Sequence, residues 1–308
     1  MLMAADCWQV ALVVCLALLL DRLLGEPTRF HPLIGLGRLI TLAEQKLYGD
    51  RRWRGAVALA VLTLPALLLM ALPWSWWVEA VVLYLCLGGR SLGEHGQAVA
   101  VALKQRDLSL ARERVGYIVS RKTQSLTEVQ VVSATVESML ENGNDAVFGT
   151  LFWYMVAGAP GAIIYRIANT LDARWGYKNA KYRQFGWAAA RWDDLLNYLP
   201  ARLCVMTYAI QGAGQGRLAT ALRCAWQQGR QCASPNGGPV MASGAGALGV
   251  TIGGSAEYEG YQCDKPLLGQ GPQADWRAID QAVALVNRGA VLWAGALILL
   301  AVAVEGAL

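Results

Sequence analysis

Glu137–Arg202 reads ESMLENGNDAVFGTLFWYMVAGAPGAIIYRIANTLDARWGYKNAKYRQFGWAAARWDDLLNYLPAR, and the way this stretch is threaded decides the fold. Carboxylates, amides, Lys and Arg crowd both flanks of one uncharged apolar run, 146–165. Polar groups so dense beside so apolar a segment are costly unless they bind something. The run is long enough to cross a bilayer, but Ala157-Gly158-Ala159-Pro160-Gly161 sits at its middle, and Pro flanked by Gly breaks a helix. A straight crossing would put the two polar flanks on opposite sides. A helix-turn-helix that dips in and returns keeps them together, since non-helical backbone at depth is tolerated where protein packs around it. The expected arrangement is therefore a re-entrant hairpin.

The composition around this stretch excludes an ordinary soluble enzyme. Of 308 residues, 55% are hydrophobic and only 16% charged, against about 25% charged in typical soluble domains. The class this implies is an all-α, polytopic integral membrane protein with cytoplasmic amphipathic helices and re-entrant hairpins. The net charge of +5 is spread over loops between apolar runs, which reads as topology information and not as a nucleic-acid surface. Seven cysteines at irregular spacing, with no CxxC pair and only His31 and His95 beside them, argue against a zinc site or disulfide framework. The opening MLMAADCWQVALVVCLALLLDRLL has no basic leader and no small-residue cleavage site, so it reads as a retained membrane helix.

Spans are expected at about 7–24, 55–72, 74–89 and 289–304, within a single membrane-embedded domain over 1–308 whose catalytic region, partly re-entrant, covers about 90–280. Residues 25–54 carry six Lys or Arg, which places that loop in the cytoplasm and the N-terminus outside. Pro73-Trp74-Ser75-Trp76-Trp77 makes an interfacial turn, and Glu79 beyond it reads as an interfacial charge. In 90–145, Asp107 is a good N-cap before Leu108, Ala111 and Val115, and Ser125-Leu126-Thr127-Glu128 has the form of a capping box. Beyond it Val129, Val132, Val136 and Leu140 share one helical face, and Gln130, Ser133, Glu137 and Glu141 the other. The stretches 203–216 and 231–256 are uncharged but glycine-interrupted. Gly244-Ala245-Gly246-Ala247-Leu248-Gly249 matches GxGxxG without a preceding strand, so close helix packing is its likelier sense, and no Walker A sequence is present.

Three groups could carry chemistry. Glu137 and Glu141, one helical turn apart, with Asn142 and Asp145 after them, are hard oxygen donors of the kind that suits Mg²⁺; a solvated helix face explains the spacing equally well. In RWDDLLNYLPAR, Asp193 and Asn197 share a face while Arg191 can pair with Asp194. Between them Arg166, Asn169, Asp172, Lys178, Lys181 and Arg183 lie beside Tyr177 and Tyr182, a cluster suited to phosphate or, for the cations singly, to anionic lipid. Arg121-Lys122-Thr123 precedes a helix N-terminus that could receive an anion.

The blocks ENGNDAVFGTLFWYMVAGAPGAIIYRIANTLDARWGYK, FGWAAARWDDLLNYLPARL and SPNGGPVMASGAGALGV, with GEPTRFHPLIGLGRLI and IVSRKT before them, resemble the CobD/CbiB family of cobalamin-biosynthesis membrane proteins over nearly the whole chain. Many members have Asp where this chain has Lys122, so no metal role is carried to that position, and an Ala-Pro step of some members is Gly149-Thr150 here. The resemblance implies ATP-dependent joining of adenosylcobyric acid to aminopropanol or its O-phosphate, at the inner membrane of a bacterium with the active region facing the cytoplasm, and other late cobalamin-pathway enzymes as possible partners. ATP would turn the corrinoid carboxylate into an acyl phosphate, with Mg²⁺ on Glu137, Glu141 or Asp145. Asp193 or Asp194 would take the amine's proton. Arg121, Lys178, Lys181 and Arg202 are expected on the phosphates, and Ser234 and Asn236 on corrin amides. A non-catalytic corrinoid scaffold and a membrane sensor or transporter are the competing classes.

Overall fold

The computed structural model describes residues 4–27, 31–258 and 261–307. In chain order the helices are α1 (Ala4–Leu24), α2 (Pro32–Leu47), α3 (Arg52–Leu67), α4 (Trp76–Cys86), α5 (Gly89–Lys104), α6 (Leu108–Gly116), α7 (Glu128–Gly143), α8 (Gly149–Trp175), α9 (Tyr182–Phe185), α10 (Trp187–Leu196), α11 (Tyr198–Gly212), α12 (Leu218–Gln227) and α13 (Gly237–Leu248). An antiparallel hairpin of β1 (Thr251–Tyr258) and β2 (Tyr261–Gly269) follows, and α14 (Arg277–Glu305) ends the chain. The fold is thus almost wholly helical. Among the described residues four segments are long and apolar enough to cross a membrane: Asp6–Leu24, Arg52–Ala71, Glu128–Trp175 and Arg277–Glu305.

Three of those segments overlap the stretches expected to span, 7–24, 55–72 and 289–304, the second of them ending one residue short at Ala71. The expected span at 74–89 is corrected: α4 has only 11 residues, about 16 Å of helix against a hydrocarbon core of about 30 Å. Leu87 and Gly88 interrupt the helix before α5, so of this run only 76–86 forms a helix ahead of Gly89, the first residue of α5.

The chain, expected to be one domain, groups into two compact units. The first comprises Met1–Gly88, Gly149–Asn197 and Trp293–Leu308. Here α4 packs on α1 and α8, while α3 packs on α2, α8 and α10. The Tyr84 hydroxyl donates to the Gly25 carbonyl at 2.7 Å, which brings the C-terminal ends of α4 and α1 together. Trp8 Nε1 donates to Glu305 Oε2 at 2.9 Å, tying the start of α1 to the end of α14. Ile40, Ala58, Leu171, Trp175 and Phe185 form its buried apolar core.

Within this unit α8 folds back on itself. Ala157 (φ −140°, ψ 20°) and Gly158 (φ 63°, ψ −157°) leave helical geometry, at the Gly/Pro step where a break is expected. Gly149 lies against the ring of Tyr165, so close that a Cβ on Gly149 would sit 2.1 Å from the phenolic oxygen. A straight helix would hold these residues about 24 Å apart. The two arms therefore run back along each other. Glu79 sits at the tip, accepting from the Tyr154 hydroxyl at 2.9 Å, with Oε1 3.1 Å from where a Cβ on Gly158 would lie. Gly149→Ala should destabilise the protein by at least about 1–3 kcal/mol through overpacking, read as a lowered unfolding midpoint in detergent; an unchanged midpoint would mean that the arms are not in contact.

The second unit, Gly89–Phe148 with Tyr198–Leu292, is built around α7. This helix is buried continuously from Val131 to Leu140, Ser133 and Glu137 included, where the sequence suggested an amphipathic surface helix. It packs against α5, α6, α13 and β1. Close approach is made by glycines: a Cβ on Gly244 would meet Leu140, and one on Gly246 would meet the backbone of Ala221, which is the packing role expected of the GxGxxG match. Asp107 caps α6 as expected, its Oδ1 accepting from Leu110 N–H at 2.9 Å. The capping box of α7 is Thr127 with Gln130, two residues beyond the expected Ser125 and Glu128. Leu126 is buried, so the chain must first turn it inward before helix can begin. The β-hairpin has no counterpart in the all-α expectation. Gly253 and Gly254 (φ 96° and 97°) carry its bulge, a backbone conformation that the glycine-rich sequence allows and a helix does not use.

Candidate functional site

In each unit buried polar side chains gather, and the quoted sequence blocks fall on both gatherings.

In the second unit the cluster starts at Glu137. Arg121, from the connection between α6 and α7, donates through Nη2 to Glu137 Oε2 at 2.8 Å, with both side chains almost fully buried. Ser133, one turn earlier, donates to Glu137 Oε1 at 3.0 Å and accepts from Gly253 N–H at 2.6 Å. A charge buried this deeply persists only when compensated, and Arg121 compensates it. Thr123 is buried beside this pair's segment while Lys122 is exposed.

A turn further on, Glu141 faces the N-terminus of α13. A Cβ on Gly237 would lie 2.2 Å from Glu141 Oε1, so only glycine admits the carboxylate there. The dipole of a helix start favours an anion at that place, while Ser234 takes up the N–H groups of Asn236, Gly237 and Gly238. Ser234 Oγ accepts from Gly237 N–H at 3.0 Å. Arg202 donates to Asn236 Oδ1 and, at 3.2 Å, to the Pro235 carbonyl, and its guanidinium lies 3.9 Å from the Tyr198 ring centroid. Four of the expected residues, Glu141, Arg202, Ser234 and Asn236, thus meet around one helix start.

Asn142 Nδ2 donates to the carbonyl and the hydroxyl of Ser138, which ties that amide to its own helix. Asp145, in the π-turn Asn144–Phe148, accepts from Asn144 at 3.0 Å. Among the described residues no three His, Cys, Asp or Glu side chains gather into a metal-holding group. A nucleotide-borne Mg²⁺ asks for less, one or two carboxylates with phosphates and water in the other positions. Glu141 and Asp145 have the donor chemistry for that; Glu137 is given to Arg121 instead.

In the first unit the arms of α8 and α10 assemble a chain of hydrogen bonds. The Tyr165 hydroxyl donates to Asn197 Oδ1 at 2.8 Å, and Asn197 Nδ2 donates to Asp193 Oδ2 at 3.0 Å. Asn169 Nδ2 reaches Asp193 Oδ1 at 3.5 Å, and Arg166 Nη1 reaches Asn169 Oδ1 at 3.4 Å. Asp193 and Asn197 are both buried. Asp193 is thereby a buried carboxylate faced by two amide donors. Asp194 points elsewhere and pairs with Arg191 at 3.6 Å, the three-residue pairing expected. Burial pushes the Asp194 carboxyl up from its ordinary range, with Arg191 and Lys178 opposing.

Lys181 and Tyr182, expected on phosphate, are engaged with Glu44. Lys181 Nζ lies 2.7 Å and the Tyr182 hydroxyl 2.9 Å from Glu44 Oε1, and Trp175 Nε1 donates to Oε2 at 3.0 Å. Burial alone would raise the Glu44 carboxyl, but these hydrogen bonds hold it below its usual value. Asp172 lies against Gly176, its backbone carbonyl accepting from Gly176 N–H at 2.7 Å, about one turn from Asn169. Sequence reasoning missed Glu44, Tyr165, Ser133 as a ligand of Glu137, and Gly237. Ser133 had a legible signal, its spacing of one turn from Glu137.

A helical membrane protein with an acid–amide network in one unit and a buried Arg–carboxylate pair near a helix start in the other is the class that these features define. The comparisons name the family. The family model described as CobD/Cbib protein matches residues 14–286, and the chain belongs to the CobD/CbiB family of cobalamin biosynthesis proteins. It is 54% identical over 298 residues to the cobalamin biosynthesis protein CobD of Chromobacterium violaceum, covering 92% of this chain and 94% of that one. It is also 54% identical over 293 residues to the protein of the same name from Stutzerimonas stutzeri, with 92% and 95% covered. Against the cobalamin biosynthesis protein CbiB of Salmonella typhi the identity is 38% over 274 residues, covering 83% and 86%. No solved structure matches.

Proposed function

We propose that this protein is an ATP-dependent amide ligase that joins adenosylcobyric acid to aminopropanol O-phosphate, or to aminopropanol, at the cytoplasmic face of a bacterial inner membrane. The observation that supports it most is that the family's sequence blocks coincide with the two clusters of buried polar side chains. A carboxylate is a poor acyl donor, and phosphorylation by ATP makes it a good one. Arg202 and the N-terminus of α13 are assigned to oxyanions of the nucleotide, for the charge of the guanidinium and the dipole of the helix start. Glu141 and Asp145 would hold Mg²⁺, which neutralises phosphate charge when bound. Arg121 and Glu137 keep α7 and its carboxylates in place. Asp193 is assigned as the base that takes the proton of the attacking amine, because it is the buried carboxylate of the first unit's amide network.

The hairpin of α8 is read as re-entrant, entering and leaving the bilayer on the cytoplasmic side. Its two-armed form, with Gly149 against Tyr165, supports this.

Reconstitution tests the proposal. Purified protein in detergent, given adenosylcobyric acid, either amine and Mg-ATP, should yield a corrinoid heavier by the amine less one water, with nucleotide consumed in equal amount. Corrinoid binding without ATP consumption would overturn it in favour of a scaffold.

A further inference from the structure

From Tyr198 to Ala256 the sequence carries four Arg, at 202, 217, 223 and 230, with no Lys, Asp or Glu. Within this stretch of the second unit α11 and α12 pack side by side on α13, which is itself buried along nearly its whole length. The face of α11 turned inward holds Ala201, Cys204, Val205, Tyr208 and Ala209. Its other face holds Leu199, Leu203, Met206 and Ile210, each 43–58% exposed, at the spacing of one helical stripe. On α12 Leu218 and Trp226 are exposed as well, with Arg223 between them. Apolar faces of this extent mark contact with a membrane or another protein.

The surroundings of this face fit lipid. Gln211 Nε2 donates to the Leu285 carbonyl at 3.0 Å, and a Cβ on Gly289 would stand 2.9 Å from Thr207 Cγ2. Passing from Gln211 to Thr207 on α11 thus matches passing from Leu285 to Gly289 on α14, where the uncharged run 289–304 begins. Leu203 lies one turn further in that direction, in which Val291 and Leu292 of α14 are also exposed. Two aromatic–arginine pairs flank the stripe: the Arg202 guanidinium lies 3.9 Å from the Tyr198 ring centroid, and that of Arg230 lies 3.4 Å from Trp226, which is 65% exposed. Aromatic rings and long basic side chains are the groups that settle at headgroup level. With 15 residues α11 is about 22 Å long, short of a hydrocarbon core of about 30 Å, so it reaches into one leaflet without crossing. A second copy of the chain seated here would bring the same arginines face to face with no carboxylate between them, whereas anionic phospholipid supplies the opposite charge.

We propose that the α11–α12 face is seated in one leaflet of an anionic bilayer, with Leu199, Leu203, Met206 and Ile210 among the acyl chains and Trp226, Arg223 and Arg230 at the level of the phosphates. The seat holds the start of α13, where Arg202 and Asn236 meet, at the membrane surface. The inference does not need the ligase reading, because its test reads lipid contact without turnover.

Photocrosslinking of the full-length protein in vesicles of phosphatidylcholine and phosphatidylglycerol tests this. The photoreactive residue p-benzoylphenylalanine replaces Leu203, Met206, Ile210 or Tyr117, one at a time. Tyr117, 61% exposed in the same unit and flanked by Glu113 and Arg114, is the water-facing comparison. After irradiation, mass analysis should find phospholipid adducts at 203, 206 and 210 several-fold more often than at 117. Crosslinks to a second copy of the chain in place of lipid, or lipid adducts no more frequent than at 117, would overturn the proposal. The same probe at Gln227, beside Trp226, reads the headgroups. Its adducts should contain phosphatidylglycerol at about twice or more its share of the bilayer, falling to the bulk share when Arg223→Gln and Arg230→Gln are combined. Adducts in bulk proportion without those replacements would overturn the role of the two arginines.

Discussion

Replacing Arg121 by Ala should destabilise the protein by about 3–5 kcal/mol, because it leaves the Glu137 carboxylate buried without its opposing charge. The pair is 2.8 Å apart with both side chains almost fully buried, so water cannot substitute for the guanidinium. A surface pair broken in the same way would cost about 0–1 kcal/mol. The companion experiment is the double replacement Arg121→Met with Glu137→Leu, which removes both charges while keeping volume. It should recover most of the stability, since well-packed apolar pairs often equal or exceed buried ion pairs. Chemical unfolding in detergent measures both. If the single variant is as stable as the wild type, the pair is not buried in the folded protein and α7 is not the centre of its unit.

Asp193→Asn should lower kcat of the proposed ligation by about 10²–10⁴-fold, the range associated with loss of a general base, while corrinoid binding is retained. The same change turns an acceptor into a donor facing Asn197 Nδ2, so a stability loss of about 1–3 kcal/mol is expected as well. Asp194→Asn serves as the comparison. Its carboxylate is paired with Arg191 and lies outside the Tyr165–Asn197–Asp193 chain. Activity there should fall less than tenfold; the reverse order of effects would transfer the base role to Asp194.

Much of the architecture was legible because it depends on local chemistry. Asp107 is followed by a helix that it caps, the Gly/Pro step at 157–161 breaks α8, and GxGxxG without a strand proved to be helix packing. What was not legible depends on partners distant in sequence. The polar face of α7 looked solvated because its spacing is that of an exposed helix; that Glu137 is buried follows from α5, α6, α13 and β1 packing around α7 and from Arg121 pairing with it. Lys181 and Tyr182 looked free for phosphate because Glu44, more than a hundred residues upstream, carries no motif. The apolar run at 74–89 is long enough on paper, but its helix ends at Cys86, and the buried Leu87 and Gly88 leave helical geometry before α5. The β-hairpin was hidden because glycine in a strand has no side-chain periodicity to read.

The pairing of Asp193 with Asn197 was read from a shared helical face and is present. The gathering of Glu141, Ser234, Asn236 and Arg202 around the start of α13 was not read as one place, although each was named. Gly237 is the reason they can meet, since any larger residue would displace the Glu141 carboxylate.

The central claim is that the corrinoid carboxylate is activated by phosphoryl transfer before the amine attacks. Adenosylcobyric acid labelled with ¹⁸O in that carboxylate, incubated with the purified protein, amine and Mg-ATP, tests this most directly. Activation as an acyl phosphate predicts one ¹⁸O atom in each inorganic phosphate released, matched by one remaining in each amide formed. Amide formation with no ¹⁸O in any phosphate product would contradict it.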